Sequence, residues 1–302
     1  MTKKIAVIDL GTNTFNLLIA EIDDTGKVQI LHKDRRYVML AEDGIERIGV
    51  AAFQRGLDAM EDFRQILAER GVTKSIPFGT AALRTARNGT DFAAVVLQKT
   101  GMRINIISGD IEAELICKGV RKAYPHMEST CLIMDIGGGS VEFILCDASK
   151  VFWAQSFPIG VAVLKNHFHH QDPMAEAEIN LLFEYLGQQL SPLKTALKQF
   201  PTQHLIGASG TFDVLEAIYA PHRENQTYNT LELSDIQHFT KRILPTTMAE
   251  RLADETIPDN RCSMIVVAML LMDFILQIAD IQKVTVSGYA MKEGILFDEI
   301  TK

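Results

Sequence analysis

The sequence predicts an α/β protein made of two copies of one domain, and three observations predict it. Residues 5–21, IAVIDLGTNTFNLLIAE, run as apolar strand, Asp, Gly-containing turn and second apolar strand, and residues 131–147, CLIMDIGGGSVEFILCD, do the same. Asp9 aligns with Asp135, Gly11 with Gly137, Asn13 with Gly139 and Thr14 with Ser140, at a constant spacing of 126 residues (135 − 9). Two later pairs keep the order: FGTAAL at 78–83 resembles IGASGT at 206–211, and Ile107-Ser108-Gly109 resembles Val286-Ser287-Gly288. Finally, stretches of helical and strand periodicity alternate along the chain, which is the α/β signature.

Each element has its own reason. The two repeated segments read as β-hairpins, strands of Val, Ile and Leu around turns of Gly, Thr, Asn or Ser. AAFQRGLDAMEDFRQILAERG (51–71) is an amphipathic helix closed by Gly71. TDFAAVVLQKTG (90–101) is another, with Thr90 or Asp91 near its start. MAEAEINLLFEYLGQQLSPLKTALKQF (174–200) is a longer helical stretch that Pro192 breaks or kinks. The later pairs are spaced more widely than the hairpins, so the second copy carries an insertion at about 217–285. That insertion reads as helical: LELSDIQHFTKRIL opens with Ser/Asp capping chemistry, and RCSMIVVAMLLMDFILQIA is apolar nearly all round, as in a buried helix. The seam falls near Tyr124-Pro125-His126, giving domains at 1–124 and 125–302.

Composition narrows the function classes. The chain has 302 residues, 47% of them hydrophobic and 23% charged, which suits two ordinary globular domains and not disorder. The apolar run Met264–Met272 is far short of the roughly 20 residues that span a bilayer. Asp9 interrupts the first apolar stretch at once, so no signal peptide is expected, and the four scattered cysteines read as buried thiols of a cytoplasmic protein. A net charge of −8 weighs against a nucleic-acid binder, which would carry a basic face. If the protein handles a polyanion, local devices must overcome that repulsion. No P-loop and no dinucleotide fingerprint occurs, and His167, His169 and His170 read as solvated side chains.

The repeated turns supply such devices. Gly lets backbone approach closely, and successive N–H groups with hydroxyls make a concavity for anions, so Gly11, Thr12, Asn13 and Thr14, and Gly137, Gly138, Gly139 and Ser140, are candidate phosphate ligands. The Asp ahead of each turn, Asp9 and Asp135, is placed to hold Mg²⁺, since carboxylate oxygens suit that hard cation. One Asp-x-Gly turn would be equally at home in a plain hairpin, but strand pairing does not demand the same Asp twice. Arg84, just after the Gly79-Thr80 turn, fits a phosphate contact; Ser209, Gly210 and Thr211 form the counterpart turn of the second copy. Glu142, two residues beyond Ser140, shares a strand face with it and suits water or metal positioning, or simply a solvated hairpin face. Glu112 in SGDIEAELI sits where a strand passes into a helix; it reads as a base near a cleft or as a first-turn Glu favoured by the helix dipole.

Together these motifs resemble the exopolyphosphatase/guanosine pentaphosphate phosphohydrolase (Ppx/GppA) family of the actin-like superfamily. IDLGTNTFNLLIAE resembles the family's first phosphate hairpin, GTAALRTARN its Thr-x-Ala-x-Arg segment, ISGDIEAELICKGV its Ser-Gly-x-Glu-Glu-Ala motif and DIGGGSVE its second hairpin. SFPIG, GASGT and VSGYAMKEGIL continue the agreement. The resemblance implies two duplicated actin-like (ribonuclease H-like) domains facing a central cleft, Glu112 as the catalytic base, Glu142 positioning water or metal together with Asp135, and Mg²⁺ or Mn²⁺ at Asp9, Asp135 and Glu142. It also implies inorganic polyphosphate or guanosine pentaphosphate as substrate, neither nucleic acid nor membrane as partner, and a homodimer. Three departures stand out: Ile111 replaces the first Glu of the pair, Met39-Leu40-Ala41-Glu42-Asp43 replaces Arg-Leu-Gly-Glu-Gly, and no Gly-Gly follows Arg261. They leave open a weakly catalytic (p)ppGpp- or polyphosphate-binding regulator; a kinase of the same superfamily is the third reading.

Overall fold

The computed structural model describes residues 2–222 and 227–300, and its contacts divide the chain into two units, Met1–Gly119 with Met291–Lys302, and Val120–Ala290. In the first, β1 (Lys3–Leu10), β2 (Thr14–Ile22) and β3 (Val28–Tyr37) form an antiparallel meander. Helix α1 (Val50–Glu69), strand β4 (Lys74–Gly79), helices α2 (Ala81–Thr85) and α3 (Gly89–Thr100) and the short β5 (Asn105–Ile106) follow, giving a sheet ordered β3-β2-β1-β4-β5 with β1, β4 and β5 parallel. Helix α4 (Gly109–Ala123) then carries the chain across the division.

The second unit repeats the plan. Strands β6 (Cys131–Ile136), β7 (Val141–Cys146) and β8 (Val151–Phe157) make the second meander, followed by helices α5 (Val161–Phe168), α6 (Glu176–Gln189) and α7 (Ser191–Gln199) and strand β9 (His204–Ala208). Helix α8 (Gly210–Tyr219), strand β10 (Tyr228–Leu231), helices α9 (Leu233–Ile243), α10 (Met248–Ala253), α11 (Asp259–Cys262) and α12 (Ile265–Ile278) and strand β11 (Lys283–Ser287) complete it. The order β8-β7-β6-β9-β11 matches the first sheet strand for strand, with β10 added antiparallel at the β11 edge. Helix α13 (Met291–Ile300) closes the chain.

The cores explain the elements. Helix α1 buries Ala52, Leu57, Met60, Phe63 and Leu67 along one stripe, and the bare backbone of Gly56 admits the Phe92 ring, which a Cβ there would meet at 2.8 Å. Phe15 and Phe53 meet Phe92 edge to face. Every residue of β6 and β7 is buried, as in strands covered on both faces. Helix α12 is buried almost all round, as its composition predicts.

Several boundaries differ from the sequence reading. The last helix, placed with the second domain at 125–302, belongs to the first unit, and the division falls at 119/120 instead of near Tyr124. Gly294 explains the attachment: a Cβ there would lie 1.8 Å from the Leu115 carbonyl oxygen of α4, so only glycine allows this approach. The pairing of FGTAAL with IGASGT is two residues out, because Phe78 lies across from Asp9 whereas Ala208 lies across from Asp135. A two-residue slip keeps every side chain on its own face, so the apolar pattern cannot reveal it. The insertion at about 217–285 is helical but contributes the edge strand β10 as well, and its residues 223–226 lie outside the described ones. Its apolar stretch is two helices, α11 and α12, not one. The helix read at 90–101 runs from Gly89 to Thr100, with Thr90 and Asp91 near its start as expected; Asn88 stands at the N-cap position without a side-chain cap bond. Pro192 does break its stretch, standing at the start of α7. All four cysteines are free and buried, and among the described residues no helix is long and apolar enough to cross a membrane. Of the three histidines read as solvated, His169 is not: its side chain is 5% exposed and lies 3.5 Å from Asp172.

Candidate functional site

Each unit presents one half of the predicted chemistry. In both, the turn after the central strand is closed in the same way: Gly11 N–H donates to Thr14 O and Gly137 N–H to Ser140 O, each at 3.0 Å. A side chain is excluded at either glycine, since a Cβ would lie 2.9 Å from Thr14 O or 2.8 Å from Ser140 O. The turn carbonyls are tied back from behind. Leu40 N–H donates to Thr12 O, and Val38 and Met39 N–H both donate to Asn13 O. In the second unit, Val161 and Ala162, at the start of α5, donate to Gly137 O and Gly138 O. Gly160 makes that brace possible, as a Cβ there would overlap Gly138 and Gly139 at about 2.4 Å. Among the described residues no protein acceptor takes the backbone N–H of Thr12, Gly138 or Gly139, and the Thr12 hydroxyl is buried without a hydrogen-bond partner. Fixed carbonyls with open N–H groups make a concavity for an anion.

In the first unit, Asp9 stands next to the last residue of the central strand, beside Asn16, its cross-strand partner, which hydrogen-bonds it and in turn accepts from Arg35 Nε at 3.1 Å. The protein packed around it pushes the Asp9 carboxyl up from 3.8 to about 6; Lys292 opposes this, Glu293 adds to it, and Asn16 and Arg35 oppose it. Arg84, in the last turn of α2, donates through Nη1 to Glu112 Oε2 and to Ile107 O, both at 2.9 Å. Glu112 stands in the first turn of α4 and is buried. The predicted phosphate contact and the predicted base are therefore one ion pair, and the guanidinium orients the carboxylate. Ile111 beside it is 47% exposed and touches neither role.

In the second unit, Asp135 and Glu142 are direct cross-strand partners, so both carboxylates occupy one face of the β6–β7 hairpin, and both are buried. Glu142 Oε1 accepts from Ser140 Oγ at 2.6 Å and from Ser156 Oγ at 2.7 Å, and Asp135 Oδ2 accepts from Ser209 Oγ at 3.0 Å. Ser209 reaches it from a left-handed backbone, φ 66°, followed by Gly210 at φ 30°. The Arg261 guanidinium packs against Gly210, where a Cβ would meet Nη1 at 2.9 Å. Thr211 is buried in the first turn of α8.

This donor set fits a hard divalent cation. Two carboxylates paired across a hairpin repel unless something positive lies between them. Mg²⁺ is usually held by one or two carboxylates together with waters and substrate phosphates, a need that such a pair can meet.

Sequence reasoning missed Asn16, Ser156, Lys292 and Glu293. The first two are found only through register, lying opposite Asp9 and Glu142. The last two stood in the VSGYAMKEGIL segment without a role.

Comparison with known proteins bears on the whole chain. Residues 18–302 match the model of the Ppx/GppA phosphatase family. The structure of an exopolyphosphatase from Cytophaga hutchinsonii is 36% identical and superposes with a TM-score of 0.94, covering 99% of this chain and 98% of that one. An Aquifex aeolicus member of the Ppx/GppA family is 25% identical with a TM-score of 0.82, covering 100% and 98%. A guanosine-5′-triphosphate,3′-diphosphate pyrophosphatase of Vibrio cholerae serotype O1 is 29% identical over 298 residues; the match takes in 98% of this chain and 59% of that protein. The chain thus spans a little over half the length of the curated relatives it matches.

Proposed function

The chain belongs to the Ppx/GppA phosphatase family, and within it we propose an exopolyphosphatase, hydrolysing the terminal phosphoanhydride of inorganic polyphosphate with water. The observation that carries this reading is the Arg84–Glu112 pair at 2.9 Å, a buried carboxylate held by an arginine in the first turn of a helix, where it can serve as a base. Glu112 takes the proton from the attacking water; Arg84 keeps its carboxylate in place and offers its remaining N–H groups to phosphate oxygens. Each unit's turn offers phosphate ligands of its own, Thr12, Asn13 and Thr14 in the first and Gly138, Gly139 and Ser140 in the second. Asp9 in the first unit, and Asp135 with Glu142 in the second, are the residues that would hold Mg²⁺, which when bound would neutralise charge on phosphate oxygens. Ser140, Ser156 and Ser209 fix the orientation of Glu142 and Asp135.

Polyphosphate is the first reading because a protein that this chain matches end to end at 36% identity is an exopolyphosphatase. Guanosine pentaphosphate is the second reading, favoured by the curated relatives at 29% identity. Phosphate release from each, with Mg²⁺, decides between them: a tenfold or greater preference in kcat/KM for long-chain polyphosphate is expected, and the reverse preference would replace this reading by the second. No release from either, with tight binding of guanosine tetraphosphate, would make the chain a sensor.

A further inference from the structure

The start of α13 carries charges that the phosphohydrolase reading leaves unused. Glu293 is 1% exposed, a buried carboxylate within 3.4 Å of Lys292 Nζ and 3.7 Å of Lys33 Nζ. Helix α13 packs on β1, the strand that carries Asp9 next to its last residue, and both Lys292 and Glu293 act electrostatically on the Asp9 carboxyl. The position of α13 is fixed: Gly294 lies against the α4 backbone at Leu115, and Lys118–Asp298 and Lys74–Glu299, each at 2.6 Å, pin the rest of the helix. The two lysines offset the cost of burying the Glu293 charge, and from that fixed place the charge acts on the Asp9 carboxyl.

We propose that Glu293 and Lys292 are positioning residues for Asp9, the glutamate strengthening and the lysine limiting the attraction of that carboxylate for a divalent cation. The inference rests on the reading of Asp9 as a cation ligand. Unit charges a few ångströms apart in a partly buried site interact strongly enough to change a divalent ion's affinity on the order of tenfold.

The test is a Mg²⁺ titration of the intact protein followed by thermal stability, with Mg²⁺ alone as probe and no turnover required. Glu293→Gln raises the half-saturating Mg²⁺ about tenfold, Lys292→Met lowers it, and Lys292→Arg restores the wild-type value. In an Asp9→Asn background, Glu293→Gln has no further effect. A role in packing alone would weaken binding in both single variants and persist without Asp9, and that outcome overturns the proposal, as do half-saturation values within twofold of wild type. A wild type that shows no Mg²⁺ response overturns the reading of Asp9 itself, and the proposal with it. Should Glu293→Gln fail to fold, the opposite-signed shift in Lys292→Met and its absence in Lys292→Met/Asp9→Asn decide the matter.

Discussion

The Asp9 carboxyl is held at about 6 in the fold, against 3.8 in an exposed aspartate, and the sign of that difference has a consequence. Between those values the folded chain keeps a proton that the unfolded chain has released, so stability falls as pH rises across the window. The full penalty, about 3 kcal/mol, is in place at neutral pH. Asp9→Asn therefore raises the unfolding free energy by up to about 3 kcal/mol at pH 7 in EDTA while abolishing hydrolysis, and most of the gain disappears at pH 4. Urea unfolding at the two pH values measures this; an equal gain at both would show that the effect is not electrostatic. Arg84 and Glu112 form a second residue-level unit. Because they share one hydrogen bond, Arg84→Ala and Glu112→Gln should be non-additive, with a coupling of about 1–3 kcal/mol in a double-mutant cycle on log kcat. Additive losses would mean that the pair seen here does not act together. These roles were only half legible in the sequence. Motif spacing brought out Asp9, Asp135, Glu112 and Arg84 singly, but the bond between Arg84 and Glu112 joins residues 28 apart and depends on how α2 and α4 meet.

Both glycine turns are held by their carbonyls, yet the holders differ. The first is gripped by the strand exit at 38–40, which carries Met39 in the left-handed region at φ 53°; the second is gripped by the N-terminus of α5. The segment Met39–Asp43 departs from its family's pattern, but it works through backbone N–H groups, which the departure leaves in place. Met39→Gly is expected to keep the brace and relieve about 1 kcal/mol of backbone strain, visible as a melting temperature raised by a few degrees; a lowered one would show that the Met39 side chain itself does the holding. Gly160 has no such latitude. Gly160→Ala drives a Cβ into Gly138 and Gly139 and should cost about 2–3 kcal/mol in a thermal melt and remove activity; wild-type behaviour would contradict the brace. The sequence marked SFPIG as a motif without giving its purpose. Register supplies it: Ser156 bonds Glu142 across β7–β8, and Gly160 backs the second turn.

For the whole molecule, duplication was the most legible fact, because the same Asp-x-Gly turn recurs between apolar strands and the two sheets do share one strand order. What the pattern could not tell was where the last helix belongs. Its attachment to the first unit rests on a bare glycine and two ion pairs with α4 and β4, contacts between residues about 180 and 225 apart that leave no local trace. The net charge of −8 remains a property of the whole chain. Local N–H groups and arginines can bind phosphate in an acidic protein, but a polyanion still approaches against repulsion. Association with polyphosphate should therefore speed up as salt rises from 10 to about 150 mM at fixed Mg²⁺, the opposite of a basic polyanion binder, and stopped-flow binding would show it.

The central claim is that Glu112 activates water for phosphoanhydride hydrolysis. Phosphate release from long-chain polyphosphate with Mg²⁺, compared between wild type and Glu112→Gln, tests it most directly. Steady release by the wild type is expected, with kcat reduced by about 10²–10⁴ in the variant, KM within a few-fold and an unchanged melting profile. Equal release by both proteins would contradict it.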